Sequence, residues 1–344
     1  MSVSFSIVTP ERSEEVVAFL NDVFGFSATP EFFSQPTLAW KYFAPHPWWS
    51  GGRSYALEVN GQLAAHACVT PVRFGTRESM VDSLRIIDWA AGQFAPGAGL
   101  LLFRRCVALG RGPLVMVGGS AETRQFVSQL KAFTKKPAMR IYARPLWPFD
   151  RFRRSSRTIR DWAKLARNAY WGVWPSLPSA GAWVCRPAFR DEPVFTPDSD
   201  FLPILRTREW VDYLLACPIG SCELLILEQR GVPSGHALVS HLSGSARVAD
   251  FALGGRRSTA ERVQAFAAVI HYLKDQGRCV ELMTASSINA NCEVFAACGL
   301  RFRTSSPVAA ADPQGRLARA AELEVNLLLG DGFYVHDAER PFYA

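Results

Sequence analysis

The sequence predicts an α+β (mixed α/β) protein made of two tandem copies of one unit, each a mostly antiparallel central sheet flanked by helices. Three observations support this prediction. Apolar residues recur at strand period in some segments and at helix period in others, in the same order in both halves. The motif RIIDWAAG, which starts at Arg85, returns 162 residues later as RVADFALG, which starts at Arg247. The motif AHACV around His66 returns 170 residues later as GHALV around His236, so the repeats keep their order.

The elements of the first unit follow from local signals. Val16 and Leu20 belong to the apolar stripe of a helix that Gly25 ends. The pair Asn60-Gly61 is typical of a two-residue hairpin turn between alternating segments. The predicted order is strand 4–8, helix 9–24, helix 37–43, strands 54–59, 63–74 and 79–89, a helix after residue 99, strand 113–117, helix 121–132 and an extended segment 139–146.

The second unit repeats this order. Val263, Phe266 and Ile270 mark a helix, and Ser258 with Glu261 forms a capping box at its start. The predicted order is helix 208–216, strands 223–229, 235–241 and 246–253, a helix after residue 258, strand 278–283, helix 289–297 and a closing strand 324–329. The predicted domains are therefore 1–150, a basic helix and proline-rich linker over 151–200, and 201–344.

The composition indicates a globular protein. With 344 residues, 49% of them hydrophobic and 20% charged, the chain is long enough for two globular domains. No apolar run reaches the roughly 18 to 20 residues that span a bilayer, and no signal peptide is recognisable, so we expect a cytoplasmic protein without a transmembrane segment. The eight cysteines form no C-x-x-C pair and mostly lie in apolar runs, which indicates reduced core thiols and no metal site.

A net charge of +7 favours an anionic partner, and much of it is concentrated between residues 151 and 167. In the same region Ile159, Trp162 and Tyr170 recur at helical spacing. Such a basic amphipathic helix either lies on a membrane surface or packs against its own domains, and we expect the packing. Nucleic-acid binding by this segment is a weaker alternative, because interleaved aromatic residues at regular spacing and a known reader motif are lacking.

The strand, loop and helix around Gly97 and Gly99 form a predicted anion site. Between Pro96 and Leu101 no Ser, Thr, Asp or Asn is placed to cap the helix, so its first N–H groups face no obvious side-chain acceptor. Glycines let a large ligand approach the backbone, and the N-terminal end of a helix attracts phosphate.

This loop resembles the pyrophosphate loop of the GNAT superfamily of acyl-CoA-dependent N-acyltransferases, and the chain as a whole resembles its tandem members over residues 1–146 and 200–340. Gly97-Ala98-Gly99 fits the loop pattern, but Phe94 stands where the family has Arg or Gln, and Gln93 lies one residue early. The segment NANCEVFAACGLRF is similar to the family's late helix, with Phe295 in place of the tyrosine that serves as general acid. Phe126 occupies the matching position of the first unit.

The resemblance implies transfer of an acyl group, in first place acetyl, to the amine of a small molecule such as an amino sugar or amino acid by direct attack on the thioester. The donor would be acetyl-CoA, another acyl-CoA or an acyl carrier protein, without a metal. The predicted donor-binding residues are Trp89, Ala90, Gln93, Gly97, Ala98, Gly99, Leu100 and Leu101. Because the second unit caps its own helix at Ser258, the first unit is predicted to bind the donor and the second to act as a degenerate scaffold.

Asp88 is the predicted proton acceptor, since it ends the strand before the loop, with a structural carboxylate as the alternative. His66, on the neighbouring strand, is the second catalytic candidate and is otherwise structural. Trp40 and Tyr42 are predicted to wall the substrate cleft or else to belong to the core. A catalytically inactive tandem fold with a binding or regulatory role is the main alternative to an enzyme.

Overall fold

The computed structural model describes residues 2–76, 79–110, 112–147, 149, 159–319, 322–336 and 342–343. The chain divides into two compact units. The first contains Met1–Lys135, Ala216–Ile219 and Ala309–Arg319, and the second contains Lys136–Leu215, Gly220–Val308 and Ala320–Ala344. Both units combine a sheet with helices, which confirms the predicted α+β class.

The sheet of the first unit has the strand order β1-β2-β3-β4-β5. Its strands are β1 Val3–Ile7, β2 Ser54–Val59, β3 Gln62–Gly75, β4 Met80–Ala91 and β5 Leu114–Val117. Neighbours are antiparallel except for β4 and β5, which pair in parallel. Asn60 and Gly61, with φ of 52° and 79°, form the predicted turn between β2 and β3, because a type I′ turn needs two left-handed residues.

Helices cover this sheet through apolar stripes. The helices of the first unit are α1 Ser13–Phe24, α2 Gln35–Leu38, a π-helical turn Ala39–Phe43, α3 Ala98–Leu109 and α4 Ala121–Gln129. Val16 and Leu20 of α1 are buried in one core cluster, and Leu102 of α3 is buried in another. Gly25 ends α1 in the left-handed conformation, as predicted.

The second unit has the strand order β12-β6-β11-β10-β9-β8-β7. Its strands are β6 Phe133–Pro145, β7 Trp183–Pro187, β8 Ser221–Gln229, β9 Val232–Leu242, β10 Ser245–Leu253, β11 Glu281–Ser286 and β12 Arg301–Ala311, of which β6 begins and β12 ends in the first unit. Its helices are α5 Ile159–Val173, α6 Arg208–Leu215, α7 Thr259–Asp275 and α8 Asn289–Ala297. Phe266 of α7 and Phe295 of α8 meet in its core, with ring centroids 4.9 Å apart.

Three features of this sheet differ from the sequence prediction. Arg140–Pro145 of β6, expected as a tail of the first unit, pairs with β11. Strand β7 lies inside the predicted proline-rich linker and pairs with β8. Strand β12 was not predicted. The predicted closing strand 324–329 pairs only up to Asn326, which forms an isolated bridge with Ser286, and a turn follows in which Asn326 accepts hydrogen bonds from the N–H groups of Leu328 and Leu329.

Helix α5 also differs from its prediction. Its apolar residues Ile159, Trp162, Tyr170 and Val173 are exposed by 90%, 54%, 58% and 76%. A helix that packed against its own domain, as expected from the sequence, would bury this stripe. The expectation is therefore wrong for the described helix.

A β-bulge interrupts the central strand of each unit. In β4 the pairing with β3 shifts between His66 and Cys68, and Asp88 has a φ of 49°. In β10 the pairing with β9 shifts between Val248 and Asp250. A bulge redirects the side chains near it. Asp88 in β4 and Asp250 in β10, which match in the sequence repeat, therefore both point toward the interior. Within the described part of the chain, no helix is long and apolar enough to cross a bilayer.

Candidate functional site

Strands β10 and β11 of the second unit separate and leave a cavity. Their parallel pairing runs from Ser245 opposite Glu281 to Val248 opposite Thr284. Beyond that point β10 continues along β9, and a cavity of ≈ 340 Å³ lies at the far end of the separated strands. Phe251 and Leu253 line the cavity from β10, and Ile288 and Asn291 line it from the start of α8. The wall of the cavity therefore combines apolar and polar groups.

Among the described residues, three arginines line this cavity. Arg256 and Arg257 belong to the loop that joins β10 to α7, and Arg262 lies in the first turns of α7. The side chain of Arg256 is 70% exposed and pairs with Asp200. Burial lowers the pKa of Arg262, whose guanidinium donates to the side chain of Asn291. These groups form a cationic rim on one part of the wall.

The N-terminus of α7 carries the predicted capping box. The Oγ of Ser258 accepts from the N–H of Glu261, while the Glu261 carboxylate accepts from the N–H of Ser258. The helix thus satisfies two of its own N–H groups, as expected from the sequence. An anion at this loop would therefore depend on the guanidinium groups rather than on the helix end.

Arg206, Asp250 and Glu324 form a buried ionic network next to the cavity, which Glu324 lines. Arg206 donates to Asp250 over 2.7 and 2.6 Å and to Glu324 over 3.0 and 2.8 Å. All three side chains are at most 3% exposed. Burial alone would raise the pKa of Asp250, but the charge and hydrogen bonds of Arg206 lower it well below its ordinary range. Asp250 therefore stays ionised.

His236 contributes no charge to this network. Its Nδ1 lies 3.1 Å from the backbone N–H of Phe195, which can only donate, so Nδ1 is an acceptor. The proton of the neutral ring then sits on Nε2, which donates to Asp250 over 3.1 Å. One guanidinium thus faces two carboxylates, and the network carries a net charge of about −1 beside the cavity that Glu324 lines.

Asp88 and His66, the two catalytic candidates of the first unit, make hydrogen bonds within its interior. The carboxylate of Asp88 accepts from Lys41 Nζ and from the hydroxyl of Tyr42, both at 2.7 Å. His66 contacts the Asp88 carbonyl oxygen through Nδ1 at 3.1 Å and Ser54 Oγ through Nε2 at 2.8 Å. Burial lowers the pKa of His66 to about 4, so its ring is neutral at physiological pH.

Tyr42 and Trp40, predicted to wall a cleft, are buried in the π-helical turn. Arg53 holds this turn, since its guanidinium donates to the carbonyl oxygens of Trp40, Lys41 and Ala44 over 2.7 to 3.0 Å. The same turn thereby positions the side chains of Lys41 and Tyr42 to donate hydrogen bonds to the Asp88 carboxylate. The structure brings three of the sequence-predicted residues, Asp88, His66 and Tyr42, together in a largely buried polar cluster.

The predicted donor loop of the first unit has the expected backbone. Gly97 is left-handed, with a φ of 86°, and α3 starts at Ala98 without a side-chain cap. Gln93 and Leu101 are exposed, whereas Ala98 and Gly99 are buried, Leu100 is half-buried and Ala90 is buried in the core below. A Cβ on Gly97 would meet no atom within 4 Å, so the side of the backbone on which it would lie is open at this residue.

The side chain of Trp89 occupies the region between β4 and the start of α3. Its indole N–H donates to the Gly99 carbonyl oxygen over 3.1 Å, and its ring lies 5.0 Å from Phe103 and 5.5 Å from Phe126. Phe126 is thus part of an aromatic cluster with Trp89 of β4 and Phe103 of α3.

Sequence reasoning missed Arg206, Arg262 and Glu324. A signal for two of them exists, because Arg206 follows Ile204-Leu205 and Glu324 stands between Leu323 and Val325. A charge inside an apolar run is buried only with a partner, so the two runs predict one ion pair between them. Among the described residues, no cluster of His, Cys, Asp and Glu side chains could hold a metal ion.

No model of a known protein family and no curated protein sequence matches the chain. Solved structures match it along most of its length. A GCN5-related N-acetyltransferase (GNAT) from Anabaena variabilis has 10% identity and a TM-score of 0.56, over 90% of this chain and 72% of that one. Saccharomyces cerevisiae N-myristoyltransferase with bound myristoyl-CoA has 13% identity and a TM-score of 0.58, over 90% and 79%. A tandem GNAT protein from the clavulanic acid biosynthesis pathway has 12% identity and a TM-score of 0.57, over 90% and 98%. The chain therefore has the GNAT fold in its tandem, two-unit arrangement.

Proposed function

We propose that the protein is an acyl-CoA-dependent N-acyltransferase that acts on the amine of a small molecule. The observation that supports this proposal is the cavity of the second unit, where strand separation brings arginines, carboxylates and apolar side chains to one space. Acyl transfer between a thioester and an amine needs all three kinds of group. Cations bind the donor phosphates, anions attract the amine, and apolar groups cover the acyl chain.

Arg256 and Arg257 are the proposed phosphate-binding residues. Both precede the capped helix, and the exposed side chain of Arg256 can exchange Asp200 for a more highly charged anion. Arg257 is anchored, since it donates to the Gly254 carbonyl oxygen over 3.0 Å and to Gln229 over 2.9 Å. The pair would thus combine one fixed and one adaptable cation.

The backbone of β10 would polarise the thioester carbonyl. The N–H of Gly254 donates to Ser234 on the β9 side over 2.8 Å. Successive N–H groups of a strand alternate in direction, so those of Leu253 and Phe251 point to the side that β11 has left. Both residues line the cavity. These two N–H groups lie about 6.6 Å apart along the strand, so one of them can donate to the oxyanion of the tetrahedral intermediate.

In this proposal Glu324 binds the amine and Glu322 accepts its proton. Glu324 is held by Arg206 and belongs to the net negative network, so it would attract and orient an ammonium group. Glu322 lines the same cavity and accepts from the N–H of Asn289 over 3.2 Å. Glu322 lies outside the Arg206 network, and it is the proposed acceptor of the proton that the amine must lose before it attacks.

Acetyl-CoA is the donor that we propose to test first, followed by longer acyl-CoA esters and an acylated carrier protein. Amino sugars and amino acids are the proposed acceptors. The ammonium group first gives one proton to the Glu322 carboxylate, and the neutral amine then attacks the thioester carbon. When the C–S bond breaks, the second proton of the amine nitrogen passes to the sulfur, which leaves as the thiol. Because Phe295 is buried against Phe266, a tyrosine general acid at that place is not part of the proposal.

The chain offers a matched pair of variants that locates the donor. Gly97 in the first unit and Gly255 in the second have φ of 86° and 67°, and a Cβ on either would meet nothing within 4 Å. Glu at either site therefore brings the same backbone strain and the same charge. If the donor binds in the second unit, Gly255→Glu should weaken acetyl-CoA binding at least about tenfold, while Gly97→Glu leaves it within about twofold.

Isothermal titration calorimetry on the full chain measures this difference, with thermal unfolding as the check that both variants fold. The reverse pattern would place the donor on the first-unit loop that the sequence predicts. Saturable acetyl-CoA binding without turnover of a broad amine panel would favour the non-enzymatic alternative, a binding or regulatory protein with this fold.

A further inference from the structure

Glu223, His241 and Cys279 form a polar cluster in the second unit, apart from the cavity. The His241 ring lies between the other two groups, with Nε2 2.7 Å from Glu223 Oε1 and Nδ1 3.1 Å from Cys279 Sγ. Glu223 belongs to β8, His241 belongs to β9, and Cys279 comes just before β11. A thiol, an imidazole and a carboxylate in this order have the arrangement of an activated nucleophile with its proton-transfer partner and an orienting acid.

The contacts of the His241 ring favour its doubly protonated form. The Glu223 carboxylate can only accept, so Nε2 carries a proton. Burial alone would lower the pKa of His241, but the hydrogen bonds to Cys279 and Glu223 raise it to about 9. Nδ1 therefore also carries a proton at physiological pH and donates it toward the sulfur. An imidazolium beside a cysteine stabilises the thiolate, which is the nucleophilic form of the side chain.

Cys185 provides a comparison within the same unit. It lies on β7, and burial together with the charge of Glu223 raises the pKa of its thiol to about 12. Cys185 thus stays protonated and is a poor nucleophile. At Cys279 the protonated His241 ring lies between the sulfur and the carboxylate, so the sulfur faces a cation. The two thiols should therefore differ in reactivity.

Cys279 lies just beneath the surface. The residue is 3% exposed, whereas residues 276–278, which lead to it from α7, are exposed and the His241 side chain is 16% exposed. A reagent about as small as water reaches such a sulfur more readily than a bulky disulfide or a coenzyme A thioester does. The burial therefore favours a peroxide as the reaction partner of this thiol.

We propose that Cys279 is a site of oxidation by hydrogen peroxide, with the His241 imidazolium as the proton donor. The thiolate sulfur attacks one peroxide oxygen, so that an S–O bond forms as the O–O bond breaks. The hydroxide that leaves takes the Nδ1 proton of His241 and becomes water. Sulfur loses two electrons to the peroxide and becomes a sulfenic acid. This inference does not depend on the acyltransferase proposal, because the cluster contributes no residue to the cavity.

Peroxide treatment of the full chain tests the proposal. The treated protein is unfolded in excess dimedone, which traps sulfenic acids that the fold would cover, and peptide mass spectrometry assigns each trapped site. In the wild-type protein Cys279 should be oxidised at least about ten times faster than Cys185. His241→Gln should slow the oxidation of Cys279 about tenfold. His271→Gln, the same change at another half-buried histidine of the unit, should leave the rate within about twofold.

Two results would overturn the proposal. Equal oxidation of Cys279 and Cys185 in the wild-type protein would mean that the ring does not activate the sulfur. An unchanged rate at Cys279 in the His241→Gln protein would remove the role of the imidazolium. Thermal unfolding shows whether both variants fold, and a constant rate at Cys185 shows that the unit has not opened. If the His241→Gln protein does not fold, the wild-type comparison of the two thiols decides.

Discussion

The guanidinium of Arg206 and the carboxylate of Asp250 meet side-on in the interior of the second unit, with Nε 2.7 Å from Oδ2 and Nη2 2.6 Å from Oδ1. Glu324 accepts two further N–H groups of the same guanidinium, and the Ile204 carbonyl oxygen accepts from its Nη1 as well. One buried cation therefore pairs with two acids, which lie 44 and 118 positions away in the sequence. The arrangement is costly to break, because each partner has been removed from water.

Arg206→Met should lower the free energy of unfolding by about 3–5 kcal/mol, since it leaves two buried carboxylates facing each other. Denaturant titration followed by tryptophan fluorescence measures the loss. Arg256→Met is the control, because its side chain is 70% exposed and its ion pair contributes little. Equal stability of the two variants would contradict the inferred role of Arg206.

Glu324→Gln should raise the KM for the amine about tenfold with little change in the KM for the donor, because the cavity loses its net negative charge. Initial-rate kinetics with an active amine provide both values. Glu293→Gln, an exposed change on α8, should leave both unchanged. A lower kcat with an unaltered amine KM would instead place Glu324 in proton transfer.

Asp88→Asn should destabilise the first unit, because it removes the negative charge that faces Lys41 Nζ, a side chain that is 2% exposed. Turnover per folded molecule should change little if the reaction occurs in the second unit. Thermal unfolding and kinetics at saturating amine separate the two effects. Unchanged stability with a loss of turnover of about a hundredfold would support the proton acceptor that the sequence predicts.

His241 should make stability depend on pH in the alkaline range. Burial alone would lower its pKa, but hydrogen bonds from the ring to Cys279 and Glu223 raise it to about 9. The charged ring thus stabilises the fold fully below its unfolded pKa of about 6.5, and the contribution disappears as pH rises through about 9. The difference in Tm between wild type and His241→Gln should therefore shrink between pH 7 and pH 10, and a constant difference would contradict this assignment.

Local patterns predicted much of the fold. The capping box of Ser258 and Glu261 and the turn at Asn60 depend on residues a few positions apart, so their geometry can be inferred from sequence. Strand β12 could not be inferred, because most of its first seven residues are exposed, so it lacks a clean alternation, and its place depends on distant partners.

The candidate site was harder to predict than the fold. The sequence predicts that Asp88 ends a central strand and that His66 lies on the neighbouring strand. The ammonium group that pairs with Asp88 belongs to Lys41, whose position depends on a π-helical turn that hydrogen bonds from Arg53 stabilise. A π-helical turn has no reliable sequence signature. The repeat revealed that Asp250 matches Asp88, whereas the electrostatic partners of the two acids differ and are not repeated.

Gly99 shows that a glycine pattern can report close packing as well as chemistry. A Cβ on this residue would lie 2.9 Å from that of Ala91, so even alanine would push α3 away from β4. The helix needs this glycine whether or not a phosphate ever rests on the loop. Gly97 and Gly99 both make the loop resemble a phosphate site, but a substitution at Gly99 would also displace α3. Gly97→Glu is therefore the variant of this unit that tests ligand binding without moving the helix.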